Sequence, residues 1–144
     1  MKIGDIMTAN VEVIPPDRSI REAAQLLRDL EVGSLPVCNG DRIVGMITDR
    51  DIAIRIVAQG LDPEKTSVAT GMTPQVVWCY EDQSLAEAGE IMKREQIRRL
   101  PVISREKKLV GILTLGDLAI KGEDPENVGV TLQEISEISP AVNP

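Results

Sequence analysis

Apolar residues at Ile20, Ala23, Ala24, Leu27 and Leu30 recur with a helical period, and charged or amide residues fill most positions between them. The spacing predicts an amphipathic helix from Ser19 to about Glu31, opened by the capping box Ser19-Ile-Arg-Glu22. Before it, Val11-Glu-Val-Ile14 is a short β-rich run stopped by Pro15-Pro16. After it, apolar runs at Leu35–Cys38 and Ile43–Ile47 read as two strands, with Asn39-Gly40 suited to a tight hairpin turn. A second helix is predicted from about Asp49 to Gln59, with Gly60 placed to end it. The order is β-α-β-β-α.

The same order returns further along. Val76–Cys79 is a strand-like run, Ser84-Leu-Ala-Glu87 opens a helix, strands follow near Leu100–Ile103 and Leu109–Leu113, and Gly116–Lys121 closes the set. The correspondence is an internal repeat. Met7-Thr8 matches Met72-Thr73, Glu22-Ala23 matches Glu87-Ala88, and Leu35-Pro36-Val37 matches Leu100-Pro101-Val102, each 65 residues apart. At Gly45/Gly111, Thr48/Thr114 and Asp51/Asp117 the offset is 66, so one residue has been added between the Pro-Val strand and the glycine. Ser104–Lys108, longer and more charged than Asn39-Gly40, sits where a hairpin tip accepts an insertion. Ile3–Ile6 and Ser67–Gly71 introduce the two Met-Thr pairs. The division expected from the repeat is residues 1–60, residues 61–122, and a tail over 123–144. In that tail Glu123-Asp-Pro-Glu126 is an acidic loop, and a short helix is expected near Leu132–Ile138. The tail reads as packing material that also borders a dimer surface.

Two stretches organise the rest: Gly45-Met-Ile-Thr48-Asp-Arg-Asp51 and Gly111-Ile-Leu-Thr114-Leu-Gly-Asp117. In each, a strand ends and a helix begins at the threonine, where unpaired N–H groups and the positive end of the helix dipole favour an anion. The aspartate lies three residues on, on the same face. It can accept hydrogen bonds from a ribose diol, or it can complete a capping box that needs no ligand.

Composition narrows the classes. A net charge of −7 and a pI near 4.7 argue against nucleic acid as the main partner and against an anionic membrane surface. One Trp, one Tyr and no Phe leave the core to Ile, Leu, Val, Ala and Met. There is no histidine, which removes the commonest general base and the commonest transition-metal ligand. No zinc-spaced cysteines and no Walker-type loop occur. Cys38 and Cys79 lie in apolar strand contexts and are expected to be buried reduced thiols. No apolar run is long enough for a helix to cross a bilayer, and Met1–Asp5 carries no signal-peptide core, so a cytoplasmic location is expected.

Two β-α-β-β-α copies, each with a Leu-Pro-Val strand and a Gly-apolar-x-Thr-x-x-Asp junction, resemble a tandem pair of CBS domains over roughly residues 3–121. The resemblance implies an α+β module in which two pseudo-symmetric repeats pack through their sheets, and two modules associate as a homodimer. It implies clefts between the repeats that take an adenosine-containing ligand: AMP, ADP, ATP, S-adenosylmethionine or NAD. Carried over by position, Thr48 and Asp51 serve one cleft and Thr114 and Asp117 the other, on ribose and phosphate oxygens. Val11 and Val13, and Val76, Val77 and Trp78, would flank the adenine. Arg98 and Arg99 stand where the family often places cations for phosphate, while the first copy has Gly33-Ser34. The Thr114/Asp117 site is therefore expected to be the better nucleotide site. Arg50 would face a cleft or form a surface pair, and Arg98 and Arg99 have Glu90 and Glu95 as alternative surface partners. The resemblance implies a stand-alone regulatory, energy-sensing module with no required cofactor, no metal and no catalysis, acting on a partner protein. The competing reading is a scaffold whose dimer surface docks partners while the clefts stay empty.

Overall fold

The computed structural model describes residues 1–74 and 76–121. The fold is α+β. In chain order the elements are α1 (Ile3–Ile6), α2 (Ile20–Leu30), β1 (Ser34–Asn39), β2 (Arg42–Thr48) and α3 (Asp49–Asp51). A π-helical segment, Ile52–Val57, continues α3. Then follow α4 (Val68–Gly71), β3 (Cys79–Tyr80), α5 (Leu85–Glu95), β4 (Arg99–Ile103), β5 (Leu109–Thr114) and α6 (Leu115–Lys121). The helix expected near Leu132–Ile138 lies outside the described residues.

The chain gathers into two compact units. One unit is Glu12–Val76; the other combines Met1–Val11 with the described residues from Val77 to Lys121. The reason is backbone pairing. Thr8 and Ile112 exchange two hydrogen bonds of 2.9 Å, while Thr73 and Met46 exchange bonds of 2.8 and 2.9 Å. Each Met-Thr segment thus joins the sheet of the repeat it does not precede in sequence. The short helices follow suit. The N–H groups of Ile3 and Gly4 donate to the carbonyls of Gln83 and Glu81, and those of Val68 and Ala69 to Arg18 and Pro16.

In the Glu12–Val76 unit, β1 and β2 pair antiparallel from Ser34↔Thr48 to Asn39↔Arg42. The turn is Gly40-Asp41, one residue later than Asn39-Gly40; Gly40 adopts φ +66°, which glycine takes without steric cost. In the other unit the added residue makes the turn longer, and Lys107 takes φ +69° between Ser104 and the start of β5. Both hairpins carry a register shift immediately before the glycine, between Val37/Cys38 and between Val102/Ile103.

The run Val11–Ile14 forms no strand. Ile14 makes one parallel bridge to Val37. Its counterpart β3 is longer because Glu81 N–H donates to Ile103 carbonyl at 3.0 Å. Pro16 occupies the matching position and has no N–H to give.

Helices α2 and α5 are capped as their sequences predict: Ser19 Oγ accepts from Glu22 N–H at 3.1 Å and Ser84 Oγ from Glu87 N–H at 3.2 Å. Both end at a non-glycine left-handed residue, Glu31 (φ 55°) and Gln96 (φ 56°). Ile20, Ala23 and Leu27 are buried in a core with Leu35, Val37, Ile47, Ile56 and Val68. Ala24 and Leu30, counted above on the apolar stripe, are exposed. The second core gathers Ile3, Ile6, Cys79, Ala88, Met92, Leu100, Val102, Leu113, Leu115 and Leu118. Among the described residues, no helix is long and apolar enough to cross a membrane.

Candidate functional site

Each strand-to-helix junction is closed by a reciprocal pair of hydrogen bonds. At the first, Asp51 N–H donates to Thr48 Oγ1 at 2.9 Å and Thr48 N–H donates to Asp51 Oδ2 at 3.1 Å. At the second, the same bonds between Asp117 and Thr114 measure 2.9 and 3.0 Å. The threonine serves as N-cap and the aspartate as third helical residue, so the capping function is real in both copies. It uses one carboxylate oxygen, Oδ2, and each aspartate remains partly exposed.

The glycine behind each junction is a packing residue. A Cβ on Gly45 would stand 2.6 Å from Met72 Sδ and 2.9 Å from Thr73 carbonyl oxygen; on Gly111 it would stand 2.6 Å from Met7 Sδ and 2.8 Å from Thr8 carbonyl oxygen. These two glycines let the Met-Thr segment lie against the strand. That segment borders the site: Thr73 Oγ1 donates to Asp51 Oδ1 at 3.4 Å. The matching Met-Thr pairs were visible in the sequence; that each crosses to the other repeat's sheet was not.

The surroundings of the two junctions differ. In the ladders, Arg99 lies opposite Thr114 and Ser34 opposite Thr48, so each pair shares a sheet face. Arg98 carbonyl accepts from Leu115 N–H at 2.9 Å and Gly33 carbonyl from Asp49 N–H at 3.0 Å, tying each preceding turn to the start of the helix. Arg98 and Arg99 are exposed and border the second junction. Glu90 and Glu95 are engaged by Lys93 and Arg94. Arg50 is exposed, with its backbone N–H on Asp49 Oδ1. Arg55, absent from the expected set, brings Nε to 3.8 Å from Asp51 Oδ1 and donates from Nη1 to Met72 carbonyl at 2.9 Å. The signal that could have found it was its position one helical turn after Asp51.

Val11, Val13, Val76 and Val77 are all partly buried. The unit boundaries fall between Val11 and Glu12 and between Val76 and Val77, so the four divide two and two. Val77 packs on the second core. Trp78 meets Tyr80 edge-on at 5.0 Å, and Lys107 Nζ lies 4.7 Å from both rings. Arg105 covers Tyr80 at 3.8 Å and holds Asp82 bidentately at 2.8 and 2.9 Å. That bond, more than any other influence, lowers the Asp82 pKa.

Both cysteines are buried free thiols, as their apolar contexts predict. Burial pushes Cys38 up to about 11, with Asp41 adding to the rise, and pushes Cys79 up to about 12. Among the described residues no three His, Cys, Asp or Glu side chains gather where a metal could sit.

Two α+β repeats, each built round a Thr–Asp junction and a Met-Thr strap, define a tandem-repeat module. The CBS domain family profile matches residues 3–58 and 66–122, and the chain belongs to that family. It is 41% identical over 134 residues to the CBS domain-containing protein YhcV of Bacillus subtilis (strain 168), covering 93% of this chain and 94% of that protein. Among solved structures it is similar to Hypoxic Response Protein I with two coordinated zinc ions (TM-score 0.75, 38% identity, 83% of this chain and 97% of that one). It is also similar to CBSX2 in complex with AMP (TM-score 0.71, 28% identity, 92% and 96%). A further match is the CBS domain pair of protein MJ0100 with 5'-methylthioadenosine and S-adenosyl-L-methionine (TM-score 0.71, 28% identity, 83% and 97%).

Proposed function

We propose that this protein is a regulatory module that binds an adenosine-containing ligand at its Thr–Asp junctions and passes occupancy on to a partner protein. The observation that carries the reading is the doubled junction. Each repeat holds a partly exposed aspartate that spends Oδ2 on the helix cap. A carboxylate so oriented suits a ribose diol, and hydrogen bonds to a charged group are worth about 1.5–3 kcal/mol each. The AMP complex of CBSX2 and the S-adenosylmethionine complex of the MJ0100 pair support the ligand class. Arg98 and Arg99 add phosphate-binding capacity at the second junction, since guanidinium groups match phosphate oxygens. Val11, Val13, Val76 and Val77 supply apolar surface for the base, and Arg50 belongs to the surface. The role is binding and regulation in the cytoplasm, not catalysis.

A homodimer completes the reading. Ile54 and Val57 on the helix that follows Asp51 are 53% and 70% exposed, and Ile120 on α6 is 84% exposed. Apolar side chains at that level favour a covering surface. Light scattering is expected to exceed the 15.7 kDa of one chain at micromolar concentration.

Thermal denaturation with AMP, ADP, ATP, S-adenosylmethionine and NAD, and with GTP as control, tests the ligand. A true ligand at about 100 times its dissociation constant adds about 2.7 kcal/mol of stability. No shift with any adenosine compound would leave the scaffold reading in its place.

A further inference from the structure

The first junction was expected to be the weaker nucleotide site, because Gly33-Ser34 stands where the second repeat has Arg98-Arg99. The side chains around Asp51 alter that expectation. Arg55 reaches back along its helix to within 3.8 Å of Asp51 Oδ1, a distance that pairs charges but is too long for a hydrogen bond. Its Nη1 is anchored on Met72 carbonyl, a neutral acceptor. The side chain of Arg55 is 47% exposed, that of Asp51 13%. Asp51 Oδ1 is otherwise met by Thr73 Oγ1 at 3.4 Å, also a long contact. One oxygen of the carboxylate is therefore committed to the cap and the other loosely held. Beside it sits an anchored guanidinium with donors to spare.

We infer that Arg55 is the phosphate-recognising cation of the Thr48–Asp51 site, supplied by the helix after the motif instead of by the strand before it. This rests on the adenosine-ligand reading and deepens it. A ribose hydroxyl at normal hydrogen-bond length displaces the long Thr73 contact on Asp51 Oδ1. The remaining Arg55 N–H groups then face the phosphate of the same ligand, while Nη1 keeps its place on Met72. Position 121, 66 residues on, is Lys, so a cation four residues after the motif aspartate is a feature of both copies. An ordinary i,i+4 ion pair explains the spacing. It explains neither the anchoring to the Met-Thr strap nor the long distance to the carboxylate.

The test uses the full chain carrying Asp117→Ala, so that ribose binding depends on the first junction, and measures AMP and adenosine by calorimetry with and without Arg55→Gln. Arg55→Lys is run alongside, and circular dichroism melting reports folding of each variant. The expected result is a ten- to hundredfold loss of AMP affinity in Arg55→Gln with adenosine changed less than about threefold. Arg55→Lys, which keeps the charge without the fork, should fall between. Equal loss for AMP and adenosine would make Arg55 a positioning residue for Asp51 and overturn the inference, as would no change in either. If Arg55→Gln does not fold, full AMP affinity in Arg55→Lys overturns it, and a selective loss of AMP supports it. If Asp117→Ala alone removes all binding while the unmodified chain binds AMP, the inference fails and the ligand reading stands. If the unmodified chain binds neither compound, both fall.

Discussion

The two junctions have nearly the same backbone and different electrostatic surroundings. Thr48–Asp51 and Thr114–Asp117 close with hydrogen bonds that agree within 0.1 Å. Behind them Gly45 and Gly111 accept a methionine and a carbonyl at almost equal distances. What surrounds them diverges: Gly33-Ser34 before the first, Arg98-Arg99 before the second. The part of the repeat that has to fit is preserved, and the part that faces solvent has drifted. Close packing tolerates little volume change, whereas a surface cation can be supplied from more than one element.

The comparison extends to the thiols, where the largest effect is expected. Both folded pKa values lie above the ordinary thiol value of 9.0. Below pH 9 both thiols are protonated, folded or unfolded, and their contribution is intact. Above it the unfolded chain loses protons that the folded chain retains. Stability therefore falls by up to about 1.4 kcal/mol per pH unit per thiol. The loss runs from pH 9 to about 11 for Cys38 and to about 12 for Cys79. Urea unfolding across that range should show a shallower decline in Cys79→Ala and Cys38→Ala, with the Cys79 difference persisting to higher pH.

Next in size come the glycines. Gly45→Val and Gly111→Val force a side chain into the strap and should each cost at least about 1–3 kcal/mol. Because the blocking carbonyl is backbone, Met7→Ala should restore only part of the loss in Gly111→Val. A clear difference between the two glycine variants in chemical denaturation would break the equivalence of the repeats.

The aspartates separate capping from binding. Asp51→Ala and Asp117→Ala should each cost about 0.5–2 kcal/mol of stability as lost caps. They should also reduce the stabilisation given by AMP, through hydrogen bonds worth about 1.5–3 kcal/mol. Equal loss of melting temperature with and without nucleotide would reduce both residues to caps.

The smallest effect concerns surface charge. Arg98→Ala with Arg99→Ala should lower affinity for AMP more than for adenosine, and the difference should shrink with added salt, since screening acts within about 8 Å at physiological ionic strength. Gly33→Arg with Ser34→Arg should strengthen AMP binding at the first junction only slightly. A side chain at Gly33 starts 3.4 Å from Asp49 Oδ2, so the new charge is partly neutralised on arrival.

The fold class, the repeat, the capped helices, both hairpins and the Thr–Asp pairs were legible along the chain. Each depends on residues within one element or one turn of each other. Ser19 with Glu22 and Thr48 with Asp51 lie three residues apart, and the helical and strand periods are local as well. The added residue fell at the hairpin tip for the same reason. The strand expected at Val11–Ile14 shrank to a single bridge at Ile14, because the pairing that makes a strand of its counterpart at Cys79–Tyr80 is continued by an N–H that Pro16 lacks, a requirement set by a partner carbonyl in another element. The stripe on α2 was drawn too wide because Ala24 and Leu30 fit the period but are exposed.

By itself, then, the sequence determined what short-range chemistry decides: caps, turns, periods and the candidate residues at each junction. Only the tertiary structure decided which repeat each Met-Thr strap joins, since Thr8 pairs with Ile112 and Thr73 with Met46 across long stretches of chain. It likewise decided why Gly45 and Gly111 carry no side chain, and that Arg55 stands against Asp51. Those outcomes follow from non-local backbone hydrogen bonds and close packing. Their partners are chosen by the three-dimensional path of the chain, and no pattern of neighbouring residues specifies it.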